Sequence, residues 1–328
     1  DIAKYAGKVM IKYFNQNNGA SYKGDKTIVT IADTEINSYL IKIVKEKYPW
    51  HSVDGEEEQF GKSNYVWVCD PVDGTAMYAR HIPVAVFSLA LVIKGQPMVG
   101  VVYDPFTNSL YTAIKGNGAY KNGEKIMVND YLLDDMKTVC HYDLWVGADY
   151  NISKIVQDLG NKTYFIGLGS IIRACMCVAS GDFSLAIFPG TKHKNCDIAA
   201  VKVIVEEAGG TVTDLFGKQQ RYDESINGAV ISNGKVHNEV IETIKKYFLI
   251  YEGTNTEMIY FDAVRSLREE IGINPLIELV PVIRSFSEEK WSNPKKILDR
   301  IIQNLDESAK RTMTYESLMN RIMDYFYD

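Results

Sequence analysis

Apolar residues recur every three to four positions at the start of the chain, at Ile2, Ala6, Val9, Met10, Tyr13 and Phe14, the spacing that turns one helical face toward a core. The same period returns at Ile36, Leu40, Ile43 and Val44, with Asp33 predicted as the helix cap and Pro49 as the stop. The pattern then changes to that of strands. Residues 65–70, 84–93, 98–103 and 109–114 are rich in β-branched and aromatic side chains, with Gly95-Gln96-Pro97 and Asp104-Pro105 as the turns between them. This half predicts a sheet packed against helices. From about residue 151 helices and strands alternate, with Ser170 and Asp197 opening helices and Gly209-Gly210 closing the last one.

Beyond about residue 249 the strand signals thin out. Helical patterns follow at 258–271, 276–286, 297–305 and 315–325, and Asn293-Pro294 is a cap followed by a first-turn proline. The predicted layout is an N-terminal α+β subdomain over residues 1–135, a C-terminal α/β subdomain over 136–249 and a helical extension over 250–328. No chemistry-bearing motif stands in the extension. A helical cap over apolar surface is its simplest role, and a surface for a partner or a second copy is the alternative.

With 46% hydrophobic residues among 328, the chain can bury a sizeable core. A net charge of -6, a pI near 5.5 and the lack of a dominant basic stretch argue against a binder of nucleic-acid polymers and for a small substrate. Apolar runs are too short for a membrane span and no signal peptide is visible, which gives a cytoplasmic expectation. Cys69, Cys140, Cys175, Cys177 and Cys196 follow no paired C-x-x-C spacing, so buried thiols are expected rather than disulfides or a zinc site.

The chemistry concentrates in carboxylates. Asp70 and Asp73 lie in Asp70-Pro71-Val72-Asp73-Gly74-Thr75, Glu56 precedes them, and Asp197 opens a later helix. Carboxylates held together resist ionisation unless a cation joins them, and oxygen donors of this kind suit Mg²⁺ with room left for a phosphate. Asp70 would leave the sheet at a strand's carboxyl end and Asp73 would point back to share a metal with it, leaving the Val72 carbonyl as a free oxygen ligand. Gly74 permits a tight path, and Thr75 starts a short helix whose N–H groups suit a phosphate. A calcium loop is excluded because Val72 breaks the alternation of oxygen side chains. A D-x-D-G-T phosphatase with a nucleophilic aspartate is excluded because Pro71 stands where that aspartate would be. Taken alone, the hexapeptide also reads as an ordinary Asp-rich turn.

Asp54-Gly55-Glu56-Glu57, then Asp70 to Thr75, then Cys196-Asp197-Ile198-Ala199-Ala200 and Glu207-Ala208-Gly209-Gly210 resemble, in that order, the inositol monophosphatase family. Gly100-Val101-Val102-Tyr103 and Gly116-Asn117-Gly118-Ala119 add to the likeness, which runs over about residues 1–247. The resemblance implies a layered α-β-α-β-α sandwich and hydrolysis of a phosphate monoester by metal-activated water, with two or three Mg²⁺ ions. It implies metal binding by Glu56, Asp70, the Val72 carbonyl, Asp73 and Asp197. Thr75 with Glu56 would orient the water, Asp33 would act beside that water or a further metal, and Lys23 or Lys26 would stand near the metals. Asp73, Gly74, Thr75 and Asp197 would contact the substrate. His51, His81, His141, His193 and His237 are scattered and are expected to be structural or superficial.

Relatives selective for inositol phosphate carry a Glu shortly before the later metal-binding Asp, whereas residues 187–195 here hold no carboxylate. Inositol selectivity therefore does not carry over. The family's Trp before that Asp is Cys196. Lys192, His193 and Lys194 would contact a second anionic group of the substrate or else form a solvated basic loop, with Arg173 a weaker candidate. The first functional reading is a Mg²⁺-dependent phosphatase for a small polyol, sugar or nucleotide phosphate. The second is a bisphosphate phosphatase for 3'-phosphoadenosine 5'-phosphate or fructose 1,6-bisphosphate. The third is a regulatory binding protein that acts through its helical extension as a homodimer.

Overall fold

The N-terminal apolar stripe forms α1 (Ile2–Phe14), with Ala3, Ala6, Val9 and Met10 turned inward. The computed structural model describes residues 1–247 apart from 17, 25–26, 145–147, 149, 151 and 191–194. The predicted extension, Lys26, Lys192, His193 and Lys194 lie outside the described residues. A small hairpin of β1 (Ser21–Tyr22) and β2 (Ile28–Val29) leads into α2 (Ile31–Lys47). Thr30 caps α2, not Asp33: the Asp33 carboxylate stands three residues further on and accepts the Thr30 backbone N–H at 2.8 Å. The two residues satisfy one another's amides as a capping box, which is why either one looks like a cap in the sequence.

The first sheet has eight strands in the order β10-β9-β8-β7-β6-β5-β3-β4. They are β3 (Ser52–Gly55), β4 (Gln59–Phe60), β5 (Tyr65–Asp73), β6 (Val86–Ile93), β7 (Gln96–Asp104), β8 (Ser109–Ile114), β9 (Ala119–Lys121) and β10 (Glu124–Lys125), with α3 (Thr75–Tyr78) between β5 and β6. β5 does not stop at Asp70 as predicted. It continues to Asp73 through a register shift against β6, and such a bulge re-aims side chains where regular pairing would not. The β6–β7 turn sits at Lys94 and Gly95, both at positive φ, so Gln96 and Pro97 belong to β7.

The second sheet has the order β12-β11-β13-β15-β14. Its chain order is β11 (Val139–Tyr142), α4 (Ser153–Gly160), β12 (Tyr164–Ile166), α5 (Ile171–Ala179), β13 (Leu185–Phe188), α6 (Asn195–Glu207), β14 (Thr211–Thr213), β15 (Ala229–Ser232) and α7 (His237–Tyr247). β11 runs parallel to both β12 and β13.

α5 and α6 form the middle layer. One apolar cluster joins Val68 and Val102 of the first sheet, Ile172, Met176 and Ile204 of the helices, and Phe188 of the second sheet. α1 and α2 cover the outer face of the first sheet, and α4 and α7 that of the second. The expected α-β-α-β-α sandwich is thus the observed one. α6 seats closely on β7 because Gly100 has no side chain: a Cβ there would lie 2.5 Å from Val203 Cγ1 and 2.8 Å from the Ala200 carbonyl oxygen. At its far end Glu207 accepts the N–H groups of Gly116 at 2.6 Å and Gly118 at 2.7 Å, so two motifs distant in sequence meet and fix the axis of α6.

Candidate active site

Backbone pairing sets the first two acids. β3 and β5 are parallel with Gly55 opposite Cys69, and the Glu56 N–H reaches the Cys69 carbonyl at 3.1 Å. Glu56, just past the end of β3, therefore comes beside Asp70, which lies in β5 where its register shift begins. Asp70 is buried, and its Oδ1 accepts the Val72 N–H at 2.9 Å, a local turn that holds the carboxylate over its own backbone.

Asp73 is placed by a helix from the other sheet. Its Oδ2 accepts the hydroxyl of Ser170, the N-cap of α5, and the backbone N–H of Ile172 at 2.9 Å. A helix N-terminus carries partial positive charge, so this contact favours the ionised carboxylate. Gly74 follows at φ +86, and a Cβ there would sit 3.0 Å from both the Gly169 carbonyl oxygen and Ser170 Cβ. Any other residue would be strained twice, by its backbone conformation and by this approach.

The Val72 carbonyl is not free, as the sequence predicted, because it accepts the Thr75 hydroxyl at 2.8 Å. Its second lone pair is still open to an ion. Thr75 Oγ1 also stands 3.4 Å from Asp33 Oδ1, while Asp33 Oδ2 serves the cap. The two oxygens of Asp33 thus divide the structural and the site-facing roles. Lys23 reaches Glu57 at 2.6 Å and Glu56 at 3.7 Å, which places it beside the acids.

Asp197 lies buried in the first turn of α6. The residue two before it, Asn195, donates from Nδ2 to Asp54 Oδ2 at 2.8 Å and to the Tyr222 carbonyl at 2.9 Å. This clasp ties the start of α6 to β3, the strand that precedes Glu56. Arg173, expected as a weak anion contact, is paired instead with buried Asp104, which also accepts from the Phe106 and Thr107 amides. That correction follows from the first turn of α5 facing the end of β7.

Burial and mutual repulsion work against ionisation here. Burial, then the charge of Asp197, pushes the Asp73 carboxyl up to about 8, against the lowering hydrogen bond from Ser170. Burial also pushes Asp33 up to about 7, with Glu56 adding to the effect and the Thr30 hydroxyl opposing it. Burial raises the Cys69 and Cys175 thiols well above their usual range, so neither is an available nucleophile at neutral pH.

Among the described residues, no three Asp, Glu, His or Cys side chains converge tightly enough to hold an ion as they stand. The donor chemistry nevertheless fits a hard dication: Glu56, Asp70, Asp73, Asp197 and the Val72 carbonyl offer only oxygen, and the raised carboxyls lack compensating positive charge. Of the histidines, His51 stacks between Tyr48 and Tyr65, and His237 lies between Thr213 and Ser232, as the structural expectation had it. Cys69, Cys140, Cys175 and Cys196 are buried free thiols, as expected, and Cys177 is half-buried. The sequence read Ser170 only as a helix opener, and the serine followed by a helical run was the one signal for its hold on Asp73. Asn195 and Asp143, which flank the same region, carried no signal at all.

Comparison with known proteins bears on this arrangement. The sequence model described as the inositol monophosphatase family matches residues 1–248. A fructose-1,6-bisphosphatase/inositol-1-monophosphatase of Thermotoga maritima is 31% identical over 248 residues, covering 75% of this chain and 93% of that protein. Among solved structures, Thermotoga maritima IMPase superposes with a TM-score of 0.66 at 28% identity over 75% of this chain and 94% of its own. An IMPase/NADP phosphatase complexed with Mg²⁺ and phosphate superposes with a TM-score of 0.64 at 27% identity, covering 73% of this chain and 90% of its own.

Proposed function

Because the chain belongs to the inositol monophosphatase family, we propose that it hydrolyses a small phosphate monoester with Mg²⁺, using the acids that its two sheets bring to one rim. The observation that carries this reading is Asp73, held at the N-terminus of α5 by the Ile172 N–H, with burial and then the charge of Asp197 raising its carboxyl above the ordinary range.

In this reading Glu56, Asp70, Asp73, Asp197 and the Val72 carbonyl hold two or three Mg²⁺ ions. When bound, Mg²⁺ withdraws charge from phosphate oxygens and acidifies water. The protein's own groups do the rest. The first-turn amides at Gly74 and Thr75 lack intrahelical acceptors and hold the phosphate in line. Thr75 and Glu56 orient a water, with Glu56 accepting its proton as the new P–O bond forms and the bond to the alcohol oxygen breaks. Asp33 steadies the Thr75 hydroxyl from the far side. Asp73 and Asp197 also face the substrate.

A bisphosphate substrate is the second reading, supported by the name of the Thermotoga maritima relative. Whether Lys192 and Lys194 serve a second phosphate lies outside the described residues. A homodimer formed through residues 250–328, the subdomain division at 135/136 and a cytoplasmic location are kept as proposals. No helix of the described residues is long and apolar enough to cross a membrane.

The test is phosphate release from inositol 1-phosphate, fructose 1,6-bisphosphate, histidinol phosphate and adenosine bisphosphates, with Mg²⁺ and with EDTA. Mg²⁺-dependent release from at least one is expected. Release from none, or release unaffected by EDTA, would sink the reading.

A further inference from the structure

Asp143 immediately follows β11 and extends its pairing with β13, donating its N–H to the Ile187 carbonyl at 3.4 Å. It therefore stands next to the Phe188 end of β13, from which the chain proceeds toward Asp197. The connection from β12 to α5 passes against the same strand end, where the Leu168 N–H donates to His141 Nδ1 at 3.3 Å. Two residues later comes Ser170, whose hydroxyl holds Asp73. Asp143 thus shares a rim with the phosphate-side acids, and its charge is among those that raise Asp73 and Cys175.

A second observation points to a ligand. His141 is fully buried, and because Nδ1 accepts from Leu168, the ring proton sits on Nε2. Nε2 lies 3.2 Å from Asp143 Oδ1 but out of line for a hydrogen bond, and it has no other partner. The Asp143 side chain is 17% exposed, and no hydrogen bond reaches its carboxylate among the described residues. A buried donor without a hydrogen-bond partner thus lies beside a partly exposed carboxylate that accepts no hydrogen bond among the described residues.

We propose that Asp143, backed by His141, is a specificity-determining residue that accepts hydrogen bonds from hydroxyl groups on the alcohol side of the substrate. This rests on the phosphatase reading and narrows its substrate to polyol or sugar monophosphates. An ionised carboxylate only accepts hydrogen bonds, and neighbouring hydroxyls can each give it one. A second phosphate in the same place would meet like charge. Residues 187–195 contain no carboxylate, and the adjacent strand supplies one at the same rim.

The test compares wild type with Asp143→Asn, which keeps side-chain shape and removes charge, using inositol 1-phosphate, fructose 1,6-bisphosphate and p-nitrophenyl phosphate, whose leaving group has no hydroxyls beyond the ester oxygen. The ratio of kcat/KM for inositol 1-phosphate over p-nitrophenyl phosphate is expected to fall about tenfold or more in the variant, as for loss of hydrogen bonds to a charged group. The change should lie mainly in KM for inositol 1-phosphate, and the ratio for fructose 1,6-bisphosphate over inositol 1-phosphate should rise. An unchanged ratio in a variant with a wild-type melting curve overturns the proposal alone. So does a wild type that hydrolyses p-nitrophenyl phosphate but neither of the other two. A wild type inactive on all three overturns the phosphatase reading and the proposal with it.

Discussion

In the first sheet the acids are set by backbone ladders: Glu56 and Asp70 are carried by parallel neighbours whose register is fixed by main-chain hydrogen bonds. The second half of the molecule reaches the same rim through single side chains at helix starts. Ser170 caps α5 and grips Asp73, and Asn195 clasps Asp54 two residues before Asp197. A ladder shares its load over many bonds, whereas a clasp rests on one or two. The first half should therefore fail only when a carboxylate itself is changed, and the second should fail by loosening.

The largest expected effect lies where the halves meet. Asp73→Asn removes ligand charge but keeps a carbonyl oxygen for the Ser170 hydroxyl and the Ile172 N–H, so activity should drop by about 10³-fold or more while the melting temperature stays near wild type. Near-normal turnover would refute the assignment of the site.

A smaller effect should follow from opening the clasp. Asn195→Ala deletes the contacts to Asp54 and the Tyr222 carbonyl, and a supporting change of this kind weakens metal affinity by roughly 10–100-fold. Calorimetric titration with Mg²⁺ should show that loss, with a lesser change in kcat at saturating Mg²⁺. A loss confined to kcat would mean that α6 is held by other contacts and would erase the contrast between ladder and clasp.

The smallest effect is a pH dependence in which raised carboxyls and the lowered His237 imidazole act with opposite sign, and Asp214 of the second half, pushed up to about 6 by burial, acts with Asp33 and Asp73. Asp33 near 7 and Asp73 near 8 hold their protons longer in the folded than in the unfolded chain, where the ordinary value is 3.8. Metal-free protein should thus lose stability as pH rises from about 4 toward 8. His237, lowered to about 4 by burial and by Lys202, acts the other way: its contribution is present above 6.5 and is lost as pH falls from there toward 4. Because the raised carboxyls outnumber the one lowered imidazole, melting temperature should decline as pH rises from about 4 to about 8, at about 2–4 °C per kcal/mol for a body of this size. Excess Mg²⁺ should flatten the decline above pH 6 and leave the acid side unchanged. A decline that Mg²⁺ does not touch would show that the raised carboxyls lie apart from the metal site.

The readable parts of the molecule were those whose signal is contiguous. Asp70 to Thr75 is one stretch, and its tight glycine and short helix appeared as expected. The misreadings have specific causes. Asp33 looked like a cap because it is the other half of the capping box with Thr30. β5 seemed to end at Asp70 because a bulge has no period of its own. Arg173 looked free because its partner Asp104 lies on another layer. Nothing in the sequence pairs Lys23 with an acid, and only the fold set it beside Glu56 and Glu57.

The order of helices and strands, the oxygen-only donor set and the glycine that lets the chain turn after Asp73 were all determined by the sequence, because periodicity, ligand hardness and backbone freedom belong to each residue and its covalent neighbours. Tertiary structure alone decided which charges face one another. Asp73 meets Asp197, Asn195 meets Asp54, and Asp143 joins the rim only because β11 lies beside β13. Electrostatic energy depends on separation and burial through space, and neither quantity is written in the spacing of residues along a chain.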